Sequence, residues 1–183
     1  MTKRIERTTD PTALAFRPLG AADLPMLHEW LGRPHVAEWW ETPPPSLDDV
    51  IEEYGIRVGA SSPHHAYIVQ LDDAPIGFVQ SYTAVACHAE GWWQDEHDPG
   101  LRGIDQFIAE ADWLGRGLGS AMVRAFTDRL FTDATVTRVQ TDPSPTNARA
   151  IRAYEKAGFR PVREIVTPDG PALLMYRDRP HPT

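Results

Sequence analysis

The sequence predicts a mixed α/β (α+β) domain, a twisted central sheet of about six or seven strands flanked by helices, and three features predict it. Short stretches suited to strands recur along the chain, interleaved with stretches whose apolar residues return every three or four positions. Their order, β-α-α-β-β-β-α-β-α-β-β, mixes α and β within one domain. Finally, 183 residues suffice for one sizeable core, and no repeat, low-complexity tract or internal linker divides them.

ALAFRPL is the first strand, and AADLPMLHEWLGR follows as a helix with Asp23 placed to cap it. RPHVAEWWETPPPS reads as a loop, because Pro43, Pro44 and Pro45 in a row permit neither helix nor central strand. SLDDVIEEYGIRVG starts on the cap Ser46 and sets Leu47, Val50, Ile51 and Tyr54 on one helical face. HAYIVQL and PIGFVQSYTAV, joined by the turn DDA, form a hairpin. The polar, tryptophan-bearing CHAEGWWQDEHDPG reads as a loop into the strand LRGIDQFIA. Beyond Gly115, Gly117 and Gly119 a helix runs to about Phe131, with Met122, Val123, Phe126 and Leu130 inward. VTRVQTD is a strand. PSPTNARAIRAYEKAGF is a helix capped by Thr146 or Asn147 and ended by Gly158. RPVREIV and PALLMYR, joined through TPDG, close the chain.

Charge is unevenly spread over the net −8. Residues 38–98 carry twelve acids against one base, Arg57. Residues 1–37 (five basic, four acidic) and 99–183 (twelve basic, ten acidic) are nearly balanced. Such a middle repels nucleic acid and suits a cationic partner, while the C-terminal part tolerates an anion; the plainer reading is a solvated acidic surface. No run approaches the roughly 18 apolar residues of a membrane span. The N-terminus lacks the apolar core of a signal peptide, and Cys87 is the lone cysteine, so a cytoplasmic protein is expected. His64, His65, His88 and His97 lack helical i, i+4 pairing or cysteine partners, which gives no metal site. A flexible tail over residues 1–12, a single domain over 13–183 and a monomer or weak dimer complete the expectation.

The stretch GIDQFIAEADWLGRGLGSAMVRAF carries the chemistry. Glycines at 115, 117 and 119 let backbone N–H groups converge at a helix N-terminus, where unpaired donors and the helix dipole favour an anion. Their spacing fits neither a P-loop nor G-x-G-x-x-G, and a tight left-handed connection is the alternative. Asp105, between apolar Ile104 and Phe107, is placed for a partly desolvated, more basic carboxylate.

SPTNARAIRAYEKAGF resembles the closing helix of the GCN5-related N-acetyltransferase (GNAT) superfamily, with an Asn near the start and a Tyr before Lys-x-Gly-Phe. The resemblance runs from about Phe16 to Arg177. In the superfamily's pyrophosphate loop, Gln/Arg-x-x-Gly-x-Gly/Ala, Gly117 and Gly119 match, whereas Leu114 stands at the Gln/Arg position. The long stretches GWWQDEHDPGLRGIDQ, QTDPSPTNARAIRAYEKAGF and TPDGPALLM, with HEWL, EWW and PIGFVQSY, are similar to the bacterial aminoglycoside 6′-N-acetyltransferases.

That resemblance implies a GNAT fold, acetyl-CoA as co-substrate without a metal, and a polycationic aminoglycoside as acceptor. It places Gln106, Phe107, Ile108, Leu114, Gly115, Arg116, Gly117, Leu118, Gly119 and Ser120 at the coenzyme, joined by Asn147, Ala150, Tyr154 and Lys156. It makes Asp105 the base, or alternatively only a binder of the ammonium, and Tyr154 the acid that protonates the departing thiolate. By the same resemblance Trp39, Tyr54, Gln80, Glu90, Trp93, Asp142 and Asp169 join Asp105 as drug contacts. At Glu90 the best-known relatives carry a shorter Asp. The charge map agrees, since Trp39, Trp40, Trp92 and Trp93 are interleaved with Glu38, Glu41, Glu90, Asp95, Glu96 and Asp98. Two alternatives stay open: an N-acyltransferase for another amine, such as a siderophore hydroxylysine or a polyamine, and a coenzyme-binding domain without activity.

Overall fold

The computed structural model describes residues 14–40, 43–58 and 64–180. The tail expected over 1–12 lies outside them, as does Glu41. One sheet holds seven strands in the order β1-β2-β3-β4-β5-β7-β6. They are β1 (Leu14–Pro18), β2 (His64–Leu71), β3 (Ala74–Thr83), β4 (Leu101–Ile108), β5 (Arg138–Thr141), β6 (Arg160–Thr167) and β7 (Gly170–Asp178). Helices α1 (Leu24–Leu31), α2 (Pro34–Ala37) and α3 (Leu47–Gly55) precede β2; α4 (Leu118–Leu130) follows β4 and α5 (Ala148–Lys156) follows β5.

Side chains alternate across the sheet and build a core on each face. On one, Val79, Ile104, Val139 and Met175 of the strands meet Met122, Val123 and Phe126 of α4, with Tyr154, Ala157 and Phe159 at the end of α5. On the other, Ile68, Phe78 and Phe107 meet Leu27, Trp30 and Leu31 of α1 and Val50 and Tyr54 of α3. Each such side chain contributes about 1.5–3 kcal/mol when fully buried, so the helices are pinned by these stripes.

Local signals set the element ends. The Ser46 hydroxyl accepts the Asp49 N–H at 3.3 Å, as expected of a cap. Of Thr146 and Asn147, it is Asn147 that caps α5, accepting the Ala150 N–H at 3.0 Å. Gly158, at φ +97°, ends that helix. The Gly158 N–H then bonds the Glu155 carbonyl and the Phe159 N–H bonds the Tyr154 carbonyl, both at 3.0 Å, in a Schellman arrangement. The Tyr154 and Phe159 rings meet at 5.5 Å and close it.

Several boundaries differ from the sequence expectation. The PHVA part of the expected first loop is the short helix α2, because Pro34 at its first position needs no N–H partner there. β3 stops at Thr83, and Ala84–Glu90 winds as a 3-10 helix instead of extending the strand and opening a loop. Asp23 stands at the N-cap position of α1, but its side chain accepts no N–H of that helix. It turns back, accepting the Gly20 N–H at 2.8 Å and pairing with Arg17. Ile51 is 47% exposed, because the apolar face of α3 narrows to Val50 and Tyr54, and Leu130 is only partly buried at the edge of its cluster.

The feature that positions the site is a divergence in the sheet. Parallel β4 and β5 pair at Leu101↔Arg138, Arg102↔Val139 and Gly103↔Gln140, and no further. Beyond Gly103, β4 keeps its bonds to β3 but leaves its other edge open.

Candidate active site

A cleft of about 1240 Å³ opens where β4 and β5 separate. One wall is largely backbone. Gly115 (φ +74°) and Gly117 (φ +81°) take left-handed conformations, Gly117 as the cap of α4. A Cβ at either would meet nothing within 4 Å, so glycine is needed there for backbone angle and not for room. The N–H groups of the first turn of α4 have no partner inside the helix and open onto the cleft. The Ser120 hydroxyl is already committed, donating to the Gly117 carbonyl at 2.9 Å.

Leu114, Gly115, Gly117, Gly119 and Ser120 line this wall, with Gln106, Phe107 and Ile108 from β4 and Asn147, Ala150, Tyr154 and Lys156 from α5. Arg116 and Leu118 do not. Arg116 points to solvent and the Leu118 side chain is buried in the core, leaving only its N–H for the loop. The buried Oε1 of Gln106 has no partner, an orphan acceptor beside the open edge of β4. Glycine loop, free helix donors, open strand edge and orphan acceptor together fit a diphosphate with an amide-bearing arm, as in coenzyme A.

The opposite wall is built of side chains. Register pairs Gln80 of β3 with Asp105 of β4, and the Gln80 Nε2 donates to Asp105 Oδ2 at 3.0 Å. Burial pushes the Asp105 carboxyl above the ordinary range; Gln80 and then Arg57 oppose this, and Asp169 adds to it. Asp142, just past β5, is raised well above its ordinary value by burial, then by Asp105 and Asp169. Three carboxylates thus face one another across the cleft, and a multiply charged cation relieves their repulsion.

Trp39, 38% exposed, stands at the rim with Glu90, Trp92 and Trp93. Trp93 sits at φ +53°, a costly conformation for an aromatic residue and one that tends to mark functional sites. Tyr54 is different. It is 1% exposed and lines no part of the cleft; its ring packs on Phe78, and its hydroxyl accepts the Trp40 indole N–H at 2.9 Å. The helical period of α3 aims it at the core, so it is not a wall residue.

Tyr154 approaches from α5. Gln106 Nε2 donates to its phenol oxygen at 2.6 Å, leaving the phenol hydrogen free to point elsewhere. Burial raises the phenol strongly, against Thr141 and Gln106, and so keeps it protonated. It can donate a proton, and cannot serve as a base at neutral pH.

Residues 20–167 match the sequence pattern of the acetyltransferase (GNAT) domain. The chain belongs to the GNAT acetyltransferase family. It is 49% identical over 174 residues to aminoglycoside N(6′)-acetyltransferase type 1 of Klebsiella pneumoniae, spanning 94% of this chain and 86% of that one. The protein of that name from Serratia marcescens matches equally. Among solved structures, AAC(6′)-Ib in complex with paromomycin and acetyl-CoA superposes with a TM-score of 0.87 at 50% identity, covering 91% of this chain and 94% of that one. The complex with coenzyme A and kanamycin gives 0.85 at 50% identity, covering 91% and 95%. The seven-stranded mixed sheet is the GNAT fold that the sequence predicted.

Two features of this acetyltransferase's site were not anticipated from sequence. Arg149 and Arg152 of α5 line the cleft beside Lys156, and neither has an acidic partner among the described residues. Arg57 reaches in from the end of α3. Its signal was present, since it is the lone base among residues 38–98. Among the described residues, no group of three or more His, Cys, Asp or Glu could hold a metal ion.

Proposed function

We propose that the protein transfers the acetyl group of acetyl-CoA to the 6′-amine of aminoglycoside antibiotics, by direct attack and without an acyl-enzyme. Among its own features, the observation that carries the acceptor class is the trio Asp105, Asp142 and Asp169 facing one another in a cleft rimmed by tryptophans. A polycation with apolar sugar faces matches both the charge and the indoles. A simple diamine would leave much of that wall without a purpose.

Asp105 binds the incoming ammonium, and its elevated pKa suits it to accept the proton that must leave before attack. The remaining ammonium groups sit at Asp142 and Asp169, and their charge favours the ionised form of Asp142. The freed amine attacks the thioester carbonyl, the C–N bond forms, and the C–S bond breaks to release thiolate. Tyr154 supplies a hydrogen bond or proton to that sulfur. A phenol of ordinary pKa about 10 already exceeds a thiol of about 8.5, and burial widens the gap, so full proton transfer from Tyr154 contributes modestly.

Glu90, Trp39, Trp93 and Gln80 frame the acceptor, while Leu114–Ser120, Asn147, Ala150 and Lys156 hold the coenzyme. We place the enzyme in the cytoplasm, as a monomer or weak dimer of one domain. No helix among the described residues is long and apolar enough to cross a membrane.

A thiol-release assay tests this reading, with purified protein, acetyl-CoA, and either kanamycin or an aminoglycoside bearing a hydroxyl at the 6′ position. Thiol release with kanamycin and none with the hydroxyl analogue is the expected result. Equal release with both would overturn the regiochemistry, and silence with both would direct the search to siderophore and polyamine amines.

A further inference from the structure

Arg57 stands in an unusual place: a cation, mostly buried, inside a wall otherwise built to attract cations. Its Nη1 donates to Gln80 Oε1 at 2.7 Å, and Gln80 passes a hydrogen bond to Asp105 at 3.0 Å. Its guanidinium lies 4.4 Å over the Tyr54 ring, and its Nη2 pairs with Glu53 at 3.3 Å. The buried Tyr54 is therefore its seat, which gives that tyrosine a part in the site without contact to the acceptor.

A guanidinium can only donate, and an ionised carboxylate can only accept. A side-chain amide placed between them has one allowed orientation, with its oxygen toward Arg57 and its nitrogen toward Asp105. Without Arg57 the amide is held from one side only, by the carboxylate, and is free to turn over whenever Asp105 is protonated. We propose that Arg57 is a positioning residue for the transfer reaction, holding Gln80 so that one oxygen of Asp105 is occupied and the other is left for the incoming amine. The inference rests on Asp105 acting as the base.

The electrostatics point the same way. Asp105 is faced by Asp142 after β5, Asp169 from the β6–β7 turn, Tyr154 from α5, and Tyr82 and Cys87 from β3 and the 3-10 helix after it. Arg57 is the cation that counters them and holds the Asp105 carboxyl lower than burial alone would. Its removal sends that carboxyl higher, so the base ionises only at higher pH.

The experiment compares wild type, Arg57→Met, Arg57→Lys, Gln80→Met and Asp105→Asn by kcat/KM for kanamycin against pH, with coenzyme A binding as control. R57M should lose about tenfold to a hundredfold in kcat/KM, the range expected when a reacting group is misplaced. Its acid limb should move to higher pH while coenzyme A binding holds. R57K keeps a donor and a charge, and should recover the limb and most of the rate. R57M and Q80M together should lose little more than either alone, because both cut one chain. An R57M enzyme with wild-type rate and acid limb, an R57K no better than R57M, or fully additive losses would each overturn the proposal. If R57M does not fold, Q80M and R57K carry the test: Q80M loses rate and R57K does not, and the reverse refutes it. An active D105N sinks the base reading and this inference with it, whereas an inactive D105N beside a normal R57M sinks the inference alone.

Discussion

The two walls of the cleft solve opposite problems by opposite means. The coenzyme wall is made of left-handed glycines, the open end of α4 and an unpaired strand edge, so its donors belong to the backbone. The acceptor wall is made of Asp105, Asp142, Asp169, Gln80 and tryptophans, brought together from β3, β4, the end of β5 and the β6–β7 turn. A backbone site tolerates almost any side chain that preserves its angles, so Leu114, which lines the cleft, would be acceptable where the family has Gln or Arg. A side-chain site depends on the identity of each group. The coenzyme wall should therefore fail through conformation, and the acceptor wall through chemistry.

The largest effect expected from that contrast is at Asp105. Asp105→Asn keeps the shape and removes the base, so kcat should fall by about 10²–10⁴, the usual range for a general base, with coenzyme A affinity unchanged in a binding titration. Next is Gly117→Ala, which removes no group at all. Holding an alanine in the left-handed region costs about 1–2 kcal/mol, so coenzyme A should bind about tenfold more weakly while the kcat of the saturated enzyme stays near normal. A G117A that binds coenzyme normally but turns over slowly would break the division between the walls. Tyr154→Phe is a smaller test, with a several-fold fall in kcat and little change in either KM, because the phenol's pKa limits its share.

The smallest effect concerns stability. Asp142 has its carboxyl raised in the folded state, so its contribution to folding is greatest in acid and is lost as pH rises through the folded pKa. Asp142→Asn should therefore raise the midpoint of thermal unfolding at pH 7.5, with the gain fading toward pH 4. A gain that did not depend on pH would assign the effect to packing. Asp98 behaves in the opposite sense. Hydrogen bonds from Thr137 and the Gly100 N–H hold its carboxyl low, so it stabilises at neutral pH and loses that contribution as acid protonates it.

The same contrast explains what could be read from the sequence. Glycine spacing, the cap at Asn147 and the stop at Gly158 are local, and each was visible within a few residues. Asp105 stood out because an acid inside an apolar strand is rare. Tyr54 lies in the core because one residue's direction on a helix depends on which face the tertiary core claims, and a loop motif such as 114–120 does not say which of its side chains, Arg116 or Leu118, turn inward while its backbone faces the cleft. Arg57 went unread as a site residue although its isolation among twelve acids was plain. Its meaning depends on the β3–β4 register, which puts Gln80 opposite Asp105 at a separation of 25 residues.

The short ladder between β4 and β5 has a consequence for the life of the folded protein. Three rungs join the halves of the sheet, and beyond them a bound coenzyme would touch both the β4 edge and α5. Acetyl-CoA would then act as a mortise between the halves as well as a reagent. At a hundredfold excess over its dissociation constant it adds about 2.7 kcal/mol to folding. The folded chain should accordingly resist proteolysis and heat better when acetyl-CoA is plentiful than when it is scarce.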